Sequence, residues 1–406
     1  MRRLILSLTL SLCGLMVSAQ GIVFQDNAPW DSIVAQAQQE NKLIFIDCYT
    51  TWCGPCKALA KEIFPQQQVG DYFNPNFICV KYDMEKGDGK MLNEKYKSHI
   101  IGYPTLLFID KNQEVKQQLA GYQEADVLLT AAKQVQQGRD LFTLQKEYKE
   151  GRRDIGFLND YIGSLNAAFM KEEAQQVAKE YLDTHEPETL DNDTVWSAVG
   201  QYVTDIHSPH FEYLVGHAAR YGGVLKRNRE EINFQIKVSC ERELRDKLRI
   251  TFDSTGVAAP LPTDTLWMEK VVGFMEKVGL PNADINRYYI YIHKQLLNGN
   301  NDEAWQTVKR GVWARLSGFY SMRVEEYVGY LLPLTKDKKV LKDYASVIES
   351  FQRGRKGMGS YTAYKTLSDI NRKLGNKQLA EEQMQTYITE RDKEIKKFQE
   401  MFNLTD

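Results

Sequence analysis

Much of what narrows this sequence is absent from it. Cys53 and Cys56 form a Cys-x-x-Cys, but no second one accompanies it. A structural zinc ion wants four ligands, so half a site argues against zinc. Cysteine is scarce, six in 406 residues, too few for a disulfide scaffold. Charge of one sign is missing too: 52 Lys and Arg stand against 54 Asp and Glu, a net charge of −2. That removes the basic field that nucleic acid or an anionic membrane surface requires. Past the N-terminus no stretch approaches the ~18 apolar residues of a membrane span. There is no phosphate loop and no nucleophile elbow. His207, His210 and His217 lie close in sequence, but Ser208-Pro209 breaks the helix between the first two, and no metal-ligand spacing is met.

What is present begins with Met1-Arg2-Arg3, a positive segment before the apolar run Leu4 to Val17, with Val17-Ser18-Ala19 offering small residues for cleavage. Residues 1–19 read as a secretory signal peptide, leaving a mature chain that starts at Gln20 and has no membrane span. Leu12 before Cys13 is too bulky for a lipidation signal. Of the remaining cysteines, Cys48 and Cys79 sit in strand-like runs as small buried hydrophobes, and Cys240 stands alone in a helical stretch.

The chain is organised around Trp52-Cys53-Gly54-Pro55-Cys56. Lys42 to Asp47 reads as a buried strand and Lys57 to Phe64 as a helix that stops at Pro65. Strand, CxxC, helix is the setting in which two cysteines close a redox disulfide across a first helical turn. The first cysteine then meets the unpaired N–H groups and the positive end of the helix, and the second can attack a mixed disulfide formed by the first. Around it, Asp26 or Asn27 is placed to cap a helix starting near Pro29, and residues 76–82 read as a second strand. Gly87-Asp88-Gly89 reads as a turn before a short helix from Lys90 to Tyr96. Ile100 to Ile109 is an apolar strand whose early Pro104 is a candidate cis-proline. Residues 111–114 make a hairpin turn, and a closing helix ends at Gly138.

With the order of elements, Trp-Cys-Gly-Pro-Cys-Lys at 52–57 and Gly-Tyr-Pro-Thr-Leu at 102–106, residues 22–138 resemble the thioredoxin superfamily. Within it they are similar to exported thioredoxin-like proteins and to the periplasmic C-terminal domain of membrane thiol–disulfide interchange reductases, as Lys57 to Phe64 followed by Val69 suggests. The kinking proline of small thioredoxins would fall near Lys61 and is absent. The resemblance implies an α/β thioredoxin-like fold with a central mixed sheet flanked by helices. It implies Cys53 as nucleophile and Cys56 as resolving thiol, with a redox-active disulfide and no further cofactor or metal. Asp47 would be the buried carboxylate that takes the Cys56 proton, near Lys81. Tyr103, Pro104 and Trp52 would form the substrate-binding surface, with the Tyr103 backbone free to pair with an extended client. His99 would be structural.

From about Leu141 strand signals give way to helical periodicity, read as a helical lobe over 140–250, a linker over 251–264 and a second lobe over 265–406. Gly299 to Ala304 and Gly375 to Ala380 share a Gly-x4-Ala offset, and Phe169 to Ala174 repeats it without the glycine. This resembles the turns of tetratricopeptide (TPR-like) hairpins. Tyr288, Tyr289, Tyr291, Trp305, Trp313 and Tyr320 make the second lobe aromatic-rich, as a hairpin core would be. Together these features predict an exported, periplasmic thiol–disulfide oxidoreductase that reduces protein disulfides, its helical region recruiting clients. Its partners would be disulfide-containing exported proteins and a membrane thiol–disulfide reductase as electron donor. The competing expectation is a non-cycling helical scaffold that holds partners with its thioredoxin-like domain.

Overall fold

Short, mostly apolar strands between Gln25 and Ala120 build a sheet with two covered faces. A computed structural model of the chain describes residues 21–221, 225, 228–252, 257–316, 321–352 and 361–401. The expected signal peptide lies outside the described residues, as do 253–256 of the expected linker and Tyr320. The chain divides into two compact units, Met1–Val203 and Thr204–Asp406.

In the first unit, β1 (Gln25–Asp26), α1 (Trp30–Glu40) and β2 (Leu43–Tyr49) lead into the short helix α2 (Gly54–Ala58). Then come α3 (Gln67–Asn76), β3 (Phe77–Asp83), α4 (Gly87–Lys95), β4 (Thr105–Ile109), β5 (Val115–Ala120) and α5 (Ala125–Gln136). The strands form one mixed sheet in the order β1-β3-β2-β4-β5. β2 runs parallel to β3 and antiparallel to β4, and β4 is antiparallel to β5. A thioredoxin-like fold followed by a large helical region is therefore what the chain adopts.

The two sheet faces are read off the alternation of β2. Ile44, Ile46 and Cys48 enter a core with α1 and α4, while Phe45 enters an aromatic core with Phe73, Phe77 and Phe108. After α2 the chain does not kink at a proline. Leu59–Ile63 winds as a π turn closed by Phe64 N–H donating to Leu59 O at 3.0 Å. The wide turn lets Leu59, Ile63 and Phe64 all reach the aromatic core.

Two local expectations change. Neither Asp26 nor Asn27 caps α1: Asp88, far along the chain, accepts the Trp30 N–H at 2.8 Å. For the same reason Gly87-Asp88-Gly89 is not a free turn but the first turn of α4, which brings Asp88 to that position.

The helices α6 (Leu141–Lys149), α7 (Ile155–Ala167), α8 (Lys171–Thr184) and α9 (Asp193–Val199) belong to this first unit. Residues 140–203 thus group with the sheet rather than with 204–250. The physical cause is packing on the edge strand β5: Leu141 N–H donates to the buried Gln117 Oε1 at 2.8 Å, and His99 packs edge-on against Phe142.

The second unit holds α10 (Pro209–Gly216) and α11 (Arg229–Lys247), then a small hairpin of β6 (Ile250–Phe252) and β7 (Ala258–Pro260) where a linker was expected. α12 (Thr265–Lys277), α13 (Ala283–Leu297), α14 (Asn301–Trp313), α15 (Ser321–Leu334), α16 (Lys338–Gln352), α17 (Thr362–Leu374) and α18 (Lys377–Met401) follow. The three repeated offsets share one turn geometry. Phe169, Gly299 and Gly375 all have positive φ (59°, 73° and 92°). In each turn the next residue's N–H closes back onto the ending helix: Met170 to Leu165 O, Asn300 to Gln295 O and Asn376 to Asn371 O, each at 2.9 Å. Ala174, Ala304 and Ala380 are buried where the paired helices meet.

Candidate active site

β2 ends at Tyr49, and the chain turns through Thr50 and Trp52 so that Cys53 becomes the N-cap of α2. Cys53 N–H donates to Thr50 O at 3.2 Å, which fixes the turn. Cys53 and Cys56 are joined as a disulfide with their Cα atoms 5.4 Å apart. The Cys56 N–H donates to Cys53 Sγ at 3.1 Å. Pro55 leaves no N–H of its own in this first turn, so that of Cys56 is directed at the sulfur. Once the bond is reduced, the same donor and the helix end favour a thiolate on Cys53. Cys53 is 3% and Cys56 5% exposed.

Register brings the second loop to this end of the sheet. Cys48 pairs with Thr105, so the Tyr103-Pro104 segment before β4 arrives beside the end of β2. The Tyr103–Pro104 peptide is cis, as Pro104 at the strand start suggested. Trp52 and Tyr103 meet edge to face with centroids 6.1 Å apart. Tyr103 Oη donates to Asn93 and the Trp52 indole donates to Glu85, each at 3.1 Å. Trp52 is 65% exposed and stands next to Cys53 in the chain, as an open wall against Tyr103. No main-chain hydrogen bond joins Tyr103 to another described residue, so its backbone is available to an extended segment.

Asp47 lies on the face of β2 that carries Phe45, the face covered by the helix bearing Cys56 and its continuation. It is 4% exposed, and its Oδ1 has no hydrogen-bond partner. Burial pushes its carboxyl up to about 7, against a smaller downward pull from Lys81 on the neighbouring strand. Lys81 makes its ion pair with Asp26, at 3.2 Å, not with Asp47. A carboxyl that titrates near neutrality can both take and return a proton.

The other thiols are not poised for exchange. Burial pushes Cys48 well up, with the Asp47 charge adding to it, and pushes Cys79 and Cys240 up to about 12. His99 Nδ1 lies 2.8 Å from Gln118 Oε1. Among the described residues no group of three or more His, Cys, Asp or Glu is placed to hold a metal.

Glu85 and Asn93, which hold Trp52 and Tyr103, carry no motif that the sequence could reveal. Gly121 could have been suspected: it follows β5, has φ +78°, and its N–H donates to Pro104 O at 2.8 Å.

A thioredoxin-like family profile matches residues 26–111. Thioredoxin-1 of Saccharomyces cerevisiae is 36% identical over 94 residues, 23% of this chain and 78% of that protein. The chain belongs to the thioredoxin-like family. The thiol:disulfide interchange protein DsbD of Pseudoalteromonas atlantica is 30% identical to this thioredoxin-like chain over 106 residues, 25% of the chain. A solved structure from Bacteroides thetaiotaomicron is 45% identical, covering 29% of this chain and 94% of that one, with a TM-score of 0.26. The chain spans 17% of the length of that DsbD, and 30% of a protein disulfide-isomerase that it also matches. In this thioredoxin-like domain, Cys53, Cys56 and Asp47 share one end of the sheet with the Tyr103-Pro104 loop. Among the described residues no helix is long and apolar enough to cross a membrane.

Proposed function

We propose that this chain is an exported, periplasmic thiol–disulfide oxidoreductase that reduces protein disulfides. The observation that carries the reading is the Cys53–Cys56 disulfide at the start of α2, beside an open Tyr103 backbone. In the reduced enzyme the Cys53 thiolate attacks one sulfur of a client disulfide. The client's other sulfur leaves as a thiolate and is protonated, and a mixed disulfide remains on Cys53. Cys56 then gives its proton to Asp47 and attacks Cys53 Sγ. The second client sulfur leaves and is protonated in turn. Two electrons have moved to the client, with one proton from Cys56 by way of Asp47 and one from water, and the Cys53–Cys56 disulfide has formed. A membrane thiol–disulfide reductase returns the dithiol by the same exchange, a role supported by the likeness to DsbD.

The helical region, resembling TPR-like hairpins, recruits clients and raises their concentration near Cys53. The competing reading, a static disulfide in a helical scaffold, is favoured by one observation, the burial of both cysteines. Turnover separates them. In a Cys56→Ser chain, Cys53 attacks but is not released, so mixed disulfides accumulate on it. A folded Cys56→Ser protein that traps no disulfide-bonded partner from the exported fraction contradicts the reductase reading.

A further inference from the structure

We propose that Phe169, in the turn between α7 and α8, is a second aromatic wall of the client-binding face. It would contact an apolar side chain flanking the disulfide of an extended client segment. The inference rests on the reading of Cys53–Cys56 as a dithiol that reduces protein disulfides.

Three observations carry it. The first is position. Gly121 lies so close to Phe169 that an added Cβ would stand 3.1 Å from Cε2 and 3.2 Å from Cζ of the ring. That same Gly121 donates its N–H to the carbonyl of Pro104 at 2.8 Å. Pro104 follows Tyr103, whose ring meets Trp52 edge to face. The Tyr103-Pro104 loop thus has Trp52 against Tyr103 and Phe169, from the added hairpin, one hydrogen bond away across Gly121.

The second is backbone. Phe169 has φ +59° in a turn whose two counterparts, bonded in the same way, carry glycine. A side chain with a Cβ is disfavoured there, by roughly 1 kcal/mol, so the turn itself supplies no reason for phenylalanine. The third is what the ring does with its surface. It is 47% exposed, with the Lys171 ammonium 5.1 Å from its centroid. Interior filling would bury the ring, whereas a contact surface leaves it open. A flexible lysine above such a ring is easily displaced by an apolar side chain, and it can then meet an acidic group on the client.

The occupant follows from continuity with the Tyr103-Pro104 loop. A segment that pairs with the Tyr103 backbone is extended, and its alternate side chains point to the two sides. One side chain can meet Trp52, and another, on the Pro104–Gly121 side of the loop, can meet Phe169. Oxidised glutathione has no apolar side chain beside its disulfide to make these contacts.

The test uses the full-length chain with dithiothreitol as reductant, insulin as protein disulfide and oxidised glutathione as small disulfide. Phe169→Gly installs the residue that the two sister turns use, so the variant is expected to fold at least as well, which thermal unfolding checks. The ratio of kcat/KM for insulin to that for oxidised glutathione should fall roughly three- to tenfold, carried by KM, since an aromatic contact is worth about that factor. Phe169→Tyr, which keeps the ring, should restore the ratio to within about twofold. An unchanged ratio in Phe169→Gly overturns the proposal. So does an equal loss with both substrates, which would place Phe169 among residues that shape the dithiol. A wild-type chain that reduces neither substrate fails differently, by removing the oxidoreductase reading itself.

Discussion

The sheet of the first unit and the helices of the second bury ionisable groups to opposite ends. In the sheet, Asp47 is buried with an unpartnered oxygen, and burial pushes its carboxyl up to about 7. In the second unit, His293 on α13 is fully buried, and burial pushes its imidazole below the usual histidine range. Its Nε2 lies 2.8 Å from the Leu261 carbonyl, which can only accept, so Nε2 carries the proton and the unpartnered Nδ1 is bare. Arg323 adds to the downward shift, while the Leu261 carbonyl and Glu326 oppose it. Both groups prefer to be neutral. Asp47, however, stands on the face of the sheet covered by the helix of a reactive cysteine, whereas His293 pins Leu261, just past β7, to a helix. The comparison teaches that a buried titratable group signals chemistry only where a reacting atom is at hand.

The comparison can be broken by pH. Asp47 has a raised folded pKa, so its neutral form is favoured in the fold: its contribution is fully present below about 3.8 and is lost as pH rises to about 7. Asp47→Asn should therefore gain stability over wild type progressively across that window. The upper bound is on the order of 4 kcal/mol, from about three units at 1.4 kcal/mol each. Hydrogen exchange of the β2 and β3 amides reads it in the full chain. If Asp47 takes the Cys56 proton as proposed, while the helix end serves Cys53, the same variant should slow release of the mixed disulfide more than its formation. A gain that does not vary with pH would show that Asp47 is not buried as a neutral acid.

His293 has the opposite sign. Its folded pKa is depressed, so the stability it contributes is present above its ordinary value of 6.5 and is lost as pH falls below it. His293→Gln should flatten the acid limb of exchange in α13 by less than the Asp47 effect and leave the β2 amides alone. Matching acid slopes in wild type and variant would contradict the assignment.

The smallest expected effect concerns the turns. Gly375→Ala places a Cβ at φ +92° with open space around it, so only the backbone resists, and the α17–α18 pair should lose about 1 kcal/mol. Phe169→Gly should shift the α7–α8 pair in the opposite direction by a similar amount. Thermal unfolding of the two variants compares them, and equal signs would show that Phe169 is not a strained counterpart of the glycines.

What the sequence revealed follows the range of the forces involved. Cys53-Gly54-Pro55-Cys56, the proline at the head of β4 and the side of β2 on which Asp47 falls are all local patterns, readable from spacing and alternation. The αL turns at Gly299 and Gly375 were legible for the same reason. Long-range pairings were not. Asp88 caps α1 from a distant helix, and Gln117 anchors α6 to the sheet edge. Glu85 holds an exposed Trp52, and β6 and β7 close a hairpin among residues whose glycine and prolines suggested only a linker. No single-sequence pattern encodes such partners, because each side chain acquires its role only when the chain has brought the other one near.

The reduction potential of the Cys53–Cys56 pair, measured in the full chain by equilibration with glutathione, tests the central claim most directly. A client-reducing dithiol with Gly-Pro between its cysteines should lie close to the potential of thioredoxin, about −270 mV, and be regained after each turnover with insulin. A potential near the −120 mV of a strong oxidant such as DsbA, or a disulfide that no dithiol reduces in the folded chain, would contradict it.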